Sequence, residues 1–202
     1  MTIVFDFDRT LTYHDTTLGL FTYRLNWPKK IVCFIYYFIA SLLVRVKFWT
    51  VLELKNKLVA WRFSGYSKLD WLSHVKSYAA TIRTNKLYAT VDWKQNDFIV
   101  ISASFREVVK ALFPDNIIVL GSEISFDQNL PYVSFHCFNY LKLAALKELE
   151  FNKIDYLYTD SKNDLPLAAI AKEVRWVKGD HYYIKPGLYI PITVATIAHE
   201  KE

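Results

Sequence analysis

The chain has 202 residues, 52% of them hydrophobic, which suffices for one sizeable core and a smaller additional unit. Its net charge of +5 is moderate, and 5 glycines and 6 prolines are too few for a fibrous or low-complexity protein. Two cysteines, Cys33 and Cys137, exclude a disulfide-stapled scaffold. We expect both to be free buried thiols in a reducing compartment. The histidines have no zinc-ligand spacing.

The first apolar run, Ile3 to Phe7, predicts a buried strand so close to the N-terminus that we expect no signal peptide. Asp6 and Asp8 lie at its end. Side chains two residues apart on a strand share a face, so we expect the two carboxylates on one side. Acids this close repel each other and need a cation or a shared proton. The alternative is a polar turn after an ordinary strand.

Two further predicted strands, Phe98–Ile101 and Ile154–Tyr158, also end in polar residues. Ser102 follows the first of them, and Asp160 and Asp164 follow the second. Between the two, Lys142 stands at the start of a helical pattern. Four motifs in this order resemble the haloacid dehalogenase superfamily of aspartyl phosphotransferases. The run from Cys137 to Lys142 is similar to a Cys-x-Gly-x-x-Lys pattern of its phosphoserine-phosphatase-like branch, with Asn in place of Gly. Lys147 and Lys153 are the alternative lysines.

The resemblance implies a reaction through a phosphorylated aspartate. Asp6 would be the nucleophile, which splits one difficult step into two. Asp8 would protonate the leaving alcohol and later deprotonate the attacking water. Ser102 would donate a hydrogen bond to the transferring phosphoryl group, and Lys142 would neutralise its charge and that of Asp6.

The same resemblance implies a magnesium ion, since Mg²⁺ prefers oxygen ligands and keeps several waters. It would lie between Asp6 and Asp160, with the backbone carbonyl of Asp8 as a further ligand and Asp164 close by or in the second shell. The ATPases of the superfamily have Thr at the position of Asp8, and the dehalogenases lack this Asp. Asp8 therefore favours a phosphatase.

Three further residues are candidates for substrate binding: Arg9, Thr10 and Ser104. Arg9 replaces a Gly that is usual in the superfamily, and it either reaches the substrate or points to solvent. Ser104 competes with Ser102 for the phosphoryl group. Otherwise Ser104 is a helix N-cap, with Glu107 three residues later completing a capping box.

The element pattern predicts an α/β fold, a Rossmann-like parallel sheet with helices on both faces. The predicted strands are Ile3–Phe7, Phe98–Ile101, Ile117–Leu120, Ile154–Tyr158 and Val174–Val177. The predicted helices are Arg106–Phe113, Leu141–Glu150 and Leu165–Lys172. Ligands bind such sheets at the carboxyl ends of the strands, where the candidate residues lie.

We assign residues 1–12 and 93–202 to the catalytic core and residues 13–92 to an inserted helical cap, a type C1 cap by the same resemblance. Two amphipathic stripes are expected within the cap. One consists of Val51, Leu54, Leu58 and Trp61, with Lys55, Asn56 and Arg62 off it; the other consists of Trp71, Val75, Tyr78 and Ile82.

One cap segment, Ile31 to Val44, has fourteen residues without a charge. As a helix it would measure about 21 Å, which is short of the roughly 30 Å hydrocarbon core of a bilayer. Basic residues flank it on both sides, which favours a membrane-dipping or interfacial element. The alternatives are a helix buried in a dimer interface or one wedged between cap and core.

Charge and tryptophan content support the membrane interpretation. Residues 13–92 carry a net charge of +8 and four of the six tryptophans, while the remainder carries −3. An anionic bilayer would attract such a segment; the alternative is that the charge attracts a soluble phosphate. We expect no nucleic-acid partner. Leu188–Ala198 is expected to close the core as a strand and helix, or else to contact the membrane or a partner.

These observations predict a Mg²⁺-dependent phosphatase that is cytoplasmic, either free or peripheral on the inner membrane. The apolar cap and the segment Asp160–Leu167 are similar to the bacterial phosphatidylglycerophosphatases of type C. The expected substrate is therefore a lipid phosphate such as phosphatidylglycerophosphate. The alternatives are a phosphatase for a soluble sugar, glycerol or amino-acid phosphate, and a non-catalytic membrane scaffold.

Overall fold

A computed structural model describes residues 1–94, 98–184 and 190–191. Its strands are β1 (Ile3–Phe5), β2 (Phe98–Phe105), β3 (Ile118–Asp127), β4 (Leu130–Phe135), β5 (Ile154–Thr159), β6 (Ala171–Lys178), β7 (His181–Tyr183) and β8 (Ile190–Pro191). Its helices are α1 (Thr16–Thr22), α2 (Trp27–Arg45), α3 (Val51–Phe63), α4 (Lys68–Ala79), α5 (Lys86–Thr90), α6 (Arg106–Lys110), α7 (Tyr140–Glu148) and α8 (Leu165–Ala168). A single turn of 3₁₀ helix, Lys162–Asp164, precedes α8.

The sheet has the order β4-β3-β2-β1-β5-β6-β7-β8 within the described residues. Its five central strands, β3, β2, β1, β5 and β6, are parallel, which confirms the predicted Rossmann-like fold. β4, β7 and β8 extend the two edges in antiparallel fashion. β4 and β7 were not predicted, whereas β8 lies within Leu188–Ala198, where a strand was expected. Apart from the β8 residues, the predicted segment Leu188–Ala198 lies outside the described part of the chain.

Several predicted elements end differently in the structure, including the strand Ile3–Phe7, which ends at Phe5, and the helix Arg106–Phe113, which ends at Lys110. The expected helix Leu165–Lys172 ends at Ala168, because Ala171 already pairs with Ile154 of β5. The strand predicted to end at Leu120 continues as β3 to Asp127 and turns back into β4. In the last two of these places pairing with a neighbouring strand overrides local helix or turn propensity.

The inserted helices pack mainly on a separate cluster that includes Leu58, Phe63, Trp71 and Phe105. The stripe predicted on α4 is confirmed, since Trp71, Val75 and Tyr78 are buried. The stripe predicted on α3 is confirmed at Leu54 and Leu58 but is wrong at Trp61, and Lys55, predicted to lie off the stripe, is buried. The buried residues of α3 are Leu54, Lys55, Leu58, Val59 and Phe63, while Trp61 is 48% exposed.

Helix α2 is longer than the uncharged segment within it. It has 19 residues and is the one helix in the described ranges that is long and apolar enough to cross a membrane, by length and composition only. Cys33 and Ala40 are buried against the cap. Tyr36, Tyr37, Leu43 and Val44 are half-buried. Eight further apolar side chains of α2 are exposed, namely Trp27, Ile31, Val32, Phe34, Ile35, Phe38, Ile39 and Leu42. This exposure excludes the alternative of a helix wedged between cap and core.

Candidate active site

Asp6 directly follows β1, the central strand between β2 and β5. Its backbone N–H donates to the carbonyl of Tyr158 at 2.8 Å, which fixes the chain as it leaves the sheet. Because neighbouring parallel strands end at the same edge, Asp6 lies beside the polar residues that follow β5 and those in the second half of β2. Its side chain is almost completely buried.

The ammonium of Lys142, in the first turn of α7, lies between two carboxylates. Its Nζ is 2.7 Å from Oδ1 of Asp6 and 2.7 Å from Oδ1 of Asp164. Burial raises the pKa of Asp164 to about 6, and repulsion from Asp6 adds to this. The alternative lysines, Lys147 and Lys153, are exposed. The structure therefore brings Lys142 to the predicted nucleophile.

Thr10 connects the first motif to the last. Its hydroxyl donates to Oδ2 of Asp6 at 3.3 Å and accepts a hydrogen bond from the backbone N–H of Asp160 at 3.0 Å. The side chain of Thr10 is fully buried. Thr10 thus fixes the relative positions of two acidic residues, and its expected contact with substrate stays a prediction.

Both carboxylate oxygens of Asp8 accept hydrogen bonds. Oδ1 accepts from the N–H and the hydroxyl of Thr16, at 2.7 and 2.6 Å, and Oδ2 accepts from the hydroxyl of Ser104 at 2.6 Å. Burial raises the pKa of Asp8 to about 6, and repulsion from Asp15 adds to this, while these hydrogen bonds oppose the change. A carboxyl group with this pKa can both release and accept a proton near neutrality.

The expected capping box at Ser104 is wrong. The N-cap residue of α6 is Phe105, without a side-chain capping bond, and Oε2 of Glu107 is buried without a hydrogen-bond partner. The Ser104 hydroxyl binds Asp8 instead, and its N–H donates to Oγ of Ser102 at 2.9 Å. β2 continues through both serines, with an irregular register between Ile101 and Phe105. The strand therefore does not end at Ile101 as predicted.

Two of the three positions where the chain replaces a glycine of the superfamily pattern have positive φ; the third, Thr159, lies in β5 and does not. The φ angles are 59° at Arg9 and 52° at Asn139, in the region that glycine adopts without strain. Arg9 is exposed beside the site. Burial raises the pKa of Asp160, and the positive charge of Arg9 opposes this rise. Arg9 is thus near enough to Asp160 to act on it electrostatically.

Of the residues predicted to bind magnesium, Asp6 and Asp160 lie close together, whereas Asp164 is paired with Lys142. Burial is the main cause of a raised pKa at Asp6, and Lys142 opposes this rise. Repulsion from the nearby Asp160 raises the pKa further. Asp164 binds Lys142, and its Oδ2 accepts from Thr159 Oγ1 at 2.7 Å. Within the described ranges, no group of three His, Cys, Asp or Glu side chains could hold a metal ion. Two carboxylates with waters and a backbone carbonyl are nevertheless a donor set that suits Mg²⁺.

A cavity of about 310 Å³ lies between cap and core and opens onto Asp8. Its wall includes Asp15, Tyr37, Lys55 and His136, none of which was predicted as a site residue. A buried lysine on a cap helix leaves no signal in the sequence, because its neighbours come from distant segments. A larger cavity of about 760 Å³, between α4, α6 and β3, is lined by none of these residues.

A sequence model of the haloacid dehalogenase-like hydrolases matches residues 3–169. The chain therefore belongs to this family, and the prediction of a phosphatase of the superfamily is confirmed at that level. Comparison with curated protein sequences finds no match.

Solved structures share the fold at low sequence identity. A protein of unknown function from Bordetella pertussis Tohama I superposes with a TM-score of 0.71 at 13% identity, covering 99% of this chain and 95% of that one. A phosphoserine phosphohydrolase-like protein from Francisella tularensis gives 0.57 at 17% identity, covering 86% and 85%. A phospho-aspartyl intermediate analogue of phosphoserine phosphatase gives 0.54 at 13%, covering 86% and 84%.

Proposed function

We propose that the protein is a Mg²⁺-dependent phosphomonoesterase that works through an aspartyl-phosphate. The observation that carries this proposal is the buried arrangement of Lys142 between Asp6 and Asp164. Burial raises the pKa of Asp6, and the ammonium opposes this rise, so it favours the ionised, nucleophilic form of the carboxylate. Asp164 holds the ammonium in place, and its other oxygen accepts from the hydroxyl of Thr159.

The reaction has two steps. A carboxylate oxygen of Asp6 bonds to phosphorus while the bond from phosphorus to the alcohol oxygen breaks, and Asp8 gives its proton to that oxygen. Asp8 then takes a proton from water, whose oxygen attacks phosphorus and releases phosphate and free Asp6. Ser102 donates to the phosphoryl oxygens. Magnesium, when held by Asp6 and Asp160, supplies charge neutralisation at the transferring group.

For the substrate we propose a lipid phosphate such as phosphatidylglycerophosphate, hydrolysed at the surface of an anionic membrane. Two observations support this. The exposed face of α2 is apolar and has basic residues at both ends, as interfacial helices do. Tyr37 of α2 and Val51, Leu54 and Leu58 of α3 line the catalytic cavity, so an apolar wall adjoins that helix.

The test is phosphate release with Mg²⁺ in detergent, comparing phosphatidylglycerophosphate with a panel of soluble phosphomonoesters. We expect a strong preference for the lipid and no turnover in Asp6→Asn. Asp115→Asn is the matched control, since Asp115 is fully exposed and is not among the residues that line the cavity. Unchanged turnover in Asp6→Asn would refute the mechanism. A preference for soluble esters would refute only the lipid substrate.

A further inference from the structure

Lys55 is a cation in the catalytic cavity that the proposed reaction does not use. It lies on α3 and is 5% exposed. Its ammonium donates to the backbone carbonyl of Ala103 at 2.5 Å and lies 4.3 Å from the ring centroid of Phe105. Lysine is almost never this buried unless it is paired. Lys55 forms no ion pair with a carboxylate in the described part of the chain.

Burial disfavours the charged form of Lys55 and so changes its pKa. Burial lowers the pKa of Lys55 to about 7, although the negative charges of Asp8 and Asp15 oppose the change. One neutral carbonyl satisfies one of the three donors of the ammonium. A negatively charged ligand group would recover part of the lost solvation, which makes this position favourable for an anion.

The location of Lys55 indicates which part of a ligand it faces. The phosphoryl group that reacts belongs at Asp6, where Lys142 already provides the positive charge. Lys55 is instead near Asp8, which protonates the leaving alcohol, and it shares a cavity with the apolar side chains of Leu54 and Leu58. A group bound there would belong to the leaving part of the substrate.

We infer that Lys55 is a specificity-determining residue, which binds a second anionic group on the leaving side of the phosphomonoester. This inference rests on the proposed phosphatase function and narrows its substrate class to esters with two separate anions beside an apolar body. The second anion is either a phosphodiester or a carboxylate, since both offer oxygen atoms with negative charge to an ammonium group.

The test compares Lys55→Met with wild type on two matched pairs of esters. Dihexanoyl phosphatidylglycerophosphate and dihexanoyl phosphatidic acid differ by a phosphodiester; phosphoserine and phosphoethanolamine differ by a carboxylate. We expect kcat/KM for the two-anion member of one pair to fall about 10- to 100-fold more than for its partner. The pair that responds identifies the second anion. Met is chosen because it keeps the length of the side chain without its charge.

Lys57→Met is the matched control, since Lys57 is an exposed lysine on the same helix and does not line the cavity. Lys57→Met should leave the ratio of kcat/KM between the two members of each pair of esters unchanged. Equal losses on all four esters in Lys55→Met would overturn the inference, because Lys55 would then only hold the Ala103 segment in place. No loss on any ester would overturn it as well.

Binding to the Asp6→Asn variant separates this inference from the proposed reaction. Calorimetric titration of that variant with the same esters should show weaker binding of the two-anion ester when Lys55→Met is added. One outcome is that wild type hydrolyses none of the esters while the difference in binding is still found. In that case the proposed reaction fails and the inference stands. Identical affinities, or no binding of any ester, would refute the inference.

Discussion

Oδ1 of Asp8 accepts two hydrogen bonds from Thr16, one from the backbone N–H at 2.7 Å and one from the hydroxyl at 2.6 Å. Thr16 is the first residue of α1 and so belongs to the inserted segment. The orientation of the proposed acid–base group therefore depends on a residue outside the core sheet.

Thr16→Val removes the hydroxyl and keeps the N–H. We expect kcat for an alkyl phosphate to fall about tenfold, because Asp8 is held less firmly for proton transfer. The loss on 4-nitrophenyl phosphate should be smaller, since its leaving group needs no proton. Thr22→Val is the control, because Thr22 is on the same helix, donates to the backbone carbonyls of Leu18 and Gly19 and does not line the cavity. Equal losses on the two esters would contradict this role.

Lys142→Met leaves two buried carboxylates, those of Asp6 and Asp164, without their cation. Burial alone would lower the pKa of Lys142, yet these carboxylates raise it above its ordinary value, so the charged pair is stable in the fold. We expect the free energy of unfolding at pH 7 to fall by about 3 to 5 kcal/mol. Urea titration measures it, with the exposed Lys147→Met as control. A loss as small as that of the control would show that the ion pairs do not stabilise the fold.

Stability should fall in mild acid because of His74. Burial, and then Arg62, lower the pKa of His74 to about 4, while an unfolded histidine has a pKa of about 6.5. Between these values only the unfolded state takes up the proton, so stability is lost as the pH falls through 6.5 towards 4. His74→Phe should reduce the loss between pH 7 and pH 5 by about 2 kcal/mol.

Urea titrations at the two pH values measure this difference. His14→Gln, which changes an exposed histidine, serves as the control. The same pH dependence in His74→Phe and wild type would be inconsistent with the assignment to His74.

The membrane proposal predicts that the protein sediments with anionic liposomes. Ile35 and Phe38 are 54% and 65% exposed on α2, and replacing both by Asp should abolish sedimentation. Leu69→Asp is the control, since Leu69 is an exposed apolar residue on α4. If wild type and the double variant both stay in the supernatant, α2 does not bind this surface.

Gly19 allows Tyr78 to approach α1 closely. A Cβ atom at this position would lie 2.1 Å from the Tyr78 hydroxyl, which donates to the carbonyl of Thr16 at 2.9 Å. Gly19→Ala should cost about 1 to 3 kcal/mol of unfolding free energy. Tyr78→Phe removes the clashing oxygen, so the double variant should recover part of this loss. A strictly additive double-mutant cycle would show that the two residues do not interact.

The sequence predicts the position of Asp6 and Asp160 because their strands are parallel neighbours, and parallel strands end at one edge. Lys142 is predicted by the resemblance of the run from Cys137 to Lys142 to a motif of the phosphoserine-phosphatase-like branch. The β3–β4 hairpin was missed, although two consecutive residues of its turn, Gln128 and Asn129, have positive φ. Of these, only Asn129 gives a turn signal in the sequence.

Lys55 and Thr16 could not be assigned from the sequence, because both act across the boundary between cap and core. The predicted face of α3 placed Lys55 in solvent, on the assumption that charged residues avoid packed surfaces. In the folded chain α3 packs over the catalytic cavity, and the face that meets it contains Lys55.

The inserted helices contact the edge strand β4 and the turn before it, and this contact affects the solubility of the protein. The backbone N–H of Val133 donates to the Asn56 side chain of α3 at 2.7 Å, and the N–H of Gly65 donates to the carbonyl of Asn129 at 3.1 Å. An uncovered edge strand can pair with another molecule and nucleate aggregation. A core expressed without residues 13–92 would expose this edge, so we expect it to aggregate rather than remain as a minimal soluble hydrolase.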